Sequence, residues 1–104
     1  MNICVVDLFS VQPLDKAAIL SCVRAGQSRV ITVEDHYSHG GLGDAVNAAL
    51  ARENVLIEKL AVREIPRSGK PEELLEHYGI SARAIASTVR RECRSALRLR
   101  SFWR

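Results

Sequence analysis

The stretch VEDHYSHGGLGDAV, residues 33–46, decides the fold. It gathers carboxylates, two histidines, a tyrosine and three glycines into fourteen positions. The β-branched run RVITVE (29–34) leads into it, and Ala45, Val46, Ala49 and Leu50 follow at helical spacing. The segment therefore reads as a strand, a glycine-rich turn and the start of a helix. In open α/β sheets ligands bind at such turns, where the free backbone N–H groups of a helix start can hold an anion. Here the glycines read G-G-x-G, which matches neither the dinucleotide fingerprint nor the phosphate loop with its Lys. The expectation is structural: Gly40 and Gly41 supply unusual backbone angles, and Gly43 lets the helix pack closely.

Working outward, ICVVDL (3–8) and VLIEKLAV (55–62) read as two further strands. Leu14 to Ala25 forms an apolar helical face, with Asp15 placed to cap it and Gly26 to end it. A second helix spans about 43–52, with Asp44 favourable in its first turn. Pro71 opens a third helix and Gly79 stops it. Ser81 can cap a last helix carrying Ile85, Ala86 and Val89. The order β-α-β-α-β-α-α predicts an α/β domain, a three-layer α/β/α arrangement with a mostly parallel sheet.

With 104 residues, 47% hydrophobic and 26% charged, the chain is sized and composed as one globular domain. Its formal charge of +3 is a weak pointer to an anionic partner, because the arginines crowd into RRECRSALRLRSFWR at the C-terminus. No apolar run is long enough to cross a bilayer. The start, MNICVVDLF, lacks a basic region and carries Asp7, so it does not read as a signal peptide. Cys4, Cys22 and Cys93 form no CxxC pair and are expected as reduced thiols, with Cys4 and Cys22 as core filler, in a cytoplasmic protein.

Glu34, Asp35, His36 and His39 are candidates for acid–base chemistry or metal binding. Neighbours at a strand end point to opposite faces, so they do not converge without help from elsewhere. His77 lies apart, beside Tyr78 on a helix. No serine or cysteine nucleophile stands beside these groups. From the residues alone a structural or interface role is favoured over a metal site, and a histidine acting as general base stays open.

Three ordered motifs carry a resemblance. They are D-x-F-x-x-x-P-L-D from Asp7 to Asp15, V-E-D-H-Y followed by G-G-x-G, and I-P-R-S-G-K-P from Ile65 to Pro71. Residues 2 to 90 closely resemble the C-terminal, third domain of transketolases, especially the animal-type branch. The resemblance implies a parent enzyme that uses thiamine diphosphate and a divalent metal, Mg or Ca, to move two-carbon ketol units between sugar phosphates in the pentose phosphate pathway. It implies a homodimer whose active sites lie in other domains, so that this chain carries no catalytic residue, no cofactor ligand and no metal ligand and has a structural or regulatory role. Its partners would be the catalytic domains of that parent. Similar modules close the β subunits of 2-oxo acid dehydrogenases and the deoxyxylulose phosphate synthases. Against the family pattern a preceding strand and helix are missing, and the tail departs from the usual ending. The expected division is a partial domain over 1–90 and a basic extension over 91–104, and an uncovered sheet edge would favour self-association.

Two other functions compete. In a small anion-binding module the amides of Gly41 to Gly43 would act with Arg67 and Lys70. The residues to inspect for an anion or interdomain surface are therefore His36, Gly40, Gly41, Gly43, Arg67 and Lys70. The alternative is nucleic-acid binding by Arg90, Arg91, Arg94, Arg98, Arg100 and Arg104 with Trp103 stacking. No other nucleic-acid motif accompanies these arginines, so nucleic acid is not the expected partner, and neither is a membrane.

Overall fold

In the computed structural model, which describes residues 2–25 and 28–102 and side chains as far as Ser95, two parallel strands form the sheet. Strand β1 spans Arg29–Tyr37 and β2 spans Leu56–Val62, with Arg29 opposite Leu56 and Val33 opposite Leu60. Tyr37 pairs with Val62, so β1 carries an irregularity after Val33. Among the described residues there are four helices: α1 (Lys16–Ala25), α2 (Leu42–Ala49), α3 (Pro71–His77) and α4 (Ala82–Phe102). Gly26, Trp103, Arg104 and the side chains of Arg98 and Arg100, all singled out in the sequence, lie outside the described residues.

Alternation along the strands sorts these helices into layers. Val30 and Ile57, partners in register, pack against Ile19 and Val23 of α1, Val46 of α2 and the following Leu50. Lys59, on the same face two residues further along β2, reaches Asp44 of α2. Arg29 and Glu58 occupy the opposite face, and they pair with Glu92 and Arg91 of α4. Hence α1 and α2 cover one side and α4 the other. The core lies on the α1–α2 side, where Val46 and Leu50 are each only 2% exposed.

Local chemistry sets the helix ends. The Asp15 carboxylate accepts the Ala18 N–H at 3.0 Å and caps α1. Ser81 Oγ accepts the Ala84 N–H at 3.2 Å at the start of α4. Pro71 opens α3, where its missing N–H costs nothing. Gly79, at φ +72°, closes it: its N–H donates to Glu76 O at 3.2 Å, and the Ile80 N–H donates to Leu75 O at 2.9 Å. This is a Schellman ending, with the left-handed angle that favours glycine.

Residues 3–8 depart from expectation. They form no strand, and Val5 is 89% exposed. Apolar, β-branched composition makes a segment fit for a ladder but does not supply the neighbouring strand. The segment is held instead through Leu8 and Leu14, which pack on the core. Cys4 is accordingly exposed rather than core filler. At the other end, α4 continues past residue 90 without a break.

Because the core is small, Leu50→Ala is expected to destabilise the chain by about 2–5 kcal/mol, combining lost transfer energy with an uncollapsed cavity. Equilibrium urea unfolding, followed by circular dichroism, checks this. A change of a few tenths would show that the packing around Leu50 does not support the fold.

Candidate functional site

The β1–α2 turn brings together the groups that the sequence singled out. Glu34 closes the regular part of β1 with its side chain on the α2 face and is 8% exposed. Its two oxygens accept the Leu42 N–H at 3.0 Å and the Gly43 N–H at 2.6 Å. These are N–H groups of the first turn of α2, which lack intrahelical partners. Gly41, the N-cap, has no side chain to offer them. A carboxylate reaching back from the preceding strand supplies the cap, with the negative charge at the positive end of the helix. The anion held by this turn is therefore the chain's own.

The glycines follow from that contact. Gly40 has φ +77°, a left-handed conformation that favours glycine. Gly41, by contrast, sits at φ −105°, ψ −153°, an ordinary extended geometry. Its constraint is space, since a Cβ there would stand 1.9 Å from Glu34 Oε1 and 2.9 Å from His36 Nδ1. At Gly43 a Cβ would meet Lys59 Cε at 2.6 Å, which is the close packing expected of it.

An ion pair locks the far side of the turn. Lys59 of β2 donates to Asp44 Oδ1 and, at 2.7 Å, to the Ser38 carbonyl. Asp44 Oδ2 accepts the Gly40 N–H at 2.7 Å. The hydrogen bond from Lys59, followed by that from Gly40, holds the Asp44 carboxyl below its ordinary value. Two residues beyond Glu34, His36 shares its face. Its Nδ1–H donates to the Tyr37 carbonyl at 2.8 Å and lies 3.7 Å from Glu34 Oε1, beyond hydrogen-bond reach. Asp35 and His39 are exposed.

Arg67 and Lys70 belong to a different neighbourhood. The Arg67 backbone N–H donates to Tyr78 Oη at 2.7 Å, and Lys70 is the N-cap residue of α3. Both are exposed, and no hydrogen bond or ion pair among the described residues joins them to the glycine turn. His77 pairs with Glu64 at 3.1 Å, away from His36. Among the described residues no three His, Cys, Asp or Glu side chains are grouped to hold a metal ion. Nor does the turn suit the diphosphate of a cofactor: its inward amides are engaged, and the buried Glu34 charge repels a second anion.

The family profile described as transketolase, C-terminal domain, matches residues 1–85. The chain belongs to the transketolase C-terminal domain family. It is 52% identical over 87 residues to transketolase-like protein 2 of Mus musculus, covering 83% of this chain and 14% of that protein. It is 50% identical over 91 residues to Homo sapiens transketolase, covering 86% and 15%. The solved structure of a split gene transketolase, an inactive β4 tetramer, matches with a TM-score of 0.72 at 34% identity. That match covers 84% of this chain and 27% of the other. The chain thus spans about one seventh of the curated relatives it matches.

Two predictions concern this turn. Gly41→Ala is expected to destabilise the domain by about 1–3 kcal/mol through overpacking. Glu34→Ala costs a similar amount, about 1–3 kcal/mol, by stranding two amides. In the double variant Gly41→Ala costs less, because the oxygen it strikes is gone. Strict additivity in urea denaturation would show that the two residues do not meet.

The acid limb of stability gives the other. Hydrogen bonds from Ser81 and then Arg83 also lower the Glu76 carboxyl. Stability from Asp44 and Glu76 is complete above their unfolded values, near 3.8 and 4.5, and is lost as pH falls through the lower folded ones. Asp44→Asn with Glu76→Gln should flatten the urea midpoint against pH below about 4. An unchanged slope would place the acid sensitivity elsewhere.

Proposed function

We propose that the chain acts as the non-catalytic C-terminal domain of a transketolase, the thiamine-diphosphate-dependent enzyme that moves two-carbon ketol units between sugar phosphates in the cytoplasm. Glu34 carries this reading. The helix start where an open α/β sheet would take a ligand is closed by a buried carboxylate of the chain itself. The turn is architecture, and its exposed rim at His36 and Gly40 is a surface for neighbouring domains, as is the loop bearing Arg67 and Lys70. Large apolar side chains left in solvent support this, among them Phe9 at 95% and Ile65 at 83% exposure. On this reading thiamine diphosphate, the divalent metal and substrate belong to other domains, which this chain would support in a homodimer; its span of about one seventh of its relatives' length supports that.

Two measurements test the proposal. Alone, the 104-residue chain should neither bind thiamine diphosphate in calorimetry with Mg²⁺ present nor transfer ketol units between sugar phosphates. Added to a transketolase from which the third domain has been removed, it should associate and raise the melting temperature of the pair. Ketol transfer by the chain alone would overturn the non-catalytic role. Failure to bind the remaining domains would overturn the supporting one.

A further inference from the structure

Two thiols distant in sequence meet beside the N-terminal segment. Cys4 is exposed in the irregular stretch before α1, and Cys22 is half-buried on α1 next to buried Val23. Their Sγ atoms stand 2.9 Å apart across eighteen positions, close enough that one S–H points at the other sulfur. Cys93 lies on α4, across the sheet from α1, and reaches neither while the layers are intact. The stretch around Cys4 has no strand pairing, and its apolar anchors on the core are Leu8 and Leu14. A covalent tether here would therefore act on a segment that no strand pairing holds.

We propose that Cys4 and Cys22 form a redox-sensitive pair that closes to an intramolecular disulfide, stapling the N-terminal segment to α1. The oxidant is a low-molecular-weight disulfide of the glutathione type. The exposed Cys4 thiolate attacks one sulfur of that disulfide, forming a mixed disulfide and releasing one small thiol. The Cys22 thiolate then attacks Cys4 Sγ, forming the protein S–S bond and releasing the second small thiol. The two protein S–H protons leave with the released thiols. Two protein thiols are oxidised and one small disulfide is reduced. The order suits the surroundings, because the hydrogen bond with Cys4, then burial, push the Cys22 thiol up and leave the exposed partner to attack first. Under reducing conditions the pair rests as the dithiol.

The test is to incubate the full chain with oxidised glutathione, block free thiols with N-ethylmaleimide, and map the tryptic peptides by mass spectrometry. Trypsin cuts after Lys16 and Arg24, so Cys4 and Cys22 fall on separate peptides. The expected product is peptide 1–16 joined to 17–24, lighter by two hydrogens, with Cys93 still carrying the blocking group. It should form ahead of any linkage to Cys93, and 6 M guanidinium should erase that preference. Cys93→Ser should leave the product unchanged. Linkage through Cys93, Cys4-to-Cys4 dimers, persistent glutathione adducts, or the same pairing with and without denaturant would each overturn the proposal.

Discussion

The contact between the Glu34 carboxylate and the first turn of α2 is the constraint around which the rest is arranged. A carboxylate that is 8% exposed must be compensated, and two backbone N–H groups at a helix start must find acceptors. Each need answers the other. The contact fixes the angle at which the chain leaves β1 and enters α2, and it explains Gly41 through space rather than through backbone freedom. It also gives an anion-ready turn an internal occupant, which makes a site that looks suited to ligand binding into a joint.

Neighbouring charges extend that joint across the sheet. Lys59 and Glu58 are adjacent on β2, so their side chains leave on opposite faces. Lys59 ties α2 to one side through Asp44, and Glu58 meets Arg91 of α4 on the other. Arg29 of β1 adds its pair with Glu92 beside that contact. The exposed pairs contribute modestly to stability. Their value lies in orientation, since they register two helix layers on a sheet of only two strands among the described residues. A narrow sheet with a small apolar core leaves large side chains such as Phe9 and Ile65 in solvent. Such a domain suits a role beside larger neighbours.

Much of this organisation was legible in the sequence. Asp15, Pro71, Gly79 and Ser81 act through their own backbone neighbourhood, and each sits at the helix end that its chemistry predicts. The strands at 29 and 56 and the helices after them follow from hydrophobic period. The motifs around Asp7, Glu34 and Ile65 led to the family that residues 1–85 match. The candidate site was legible only in part. Its residues could be named, but Glu34 ranked as one acid among several, because nothing local shows that its carboxylate reaches groups eight and nine positions away.

By itself the sequence determined the helix ends at Asp15, Pro71, Gly79 and Ser81, two of the three strands it predicts, and the family, because these depend on short-range propensity, capping and motif order. Tertiary structure alone decided the remainder. It left residues 3–8 without a ladder, since a strand needs a partner edge as well as a β-prone composition. It separated Arg67 and Lys70 from the glycine turn, brought Cys4 to Cys22, and put Glu34 on the helix-start amides where open α/β sheets take a ligand. Each of these is a distance between residues far apart along the chain, and only the packed layers set such distances.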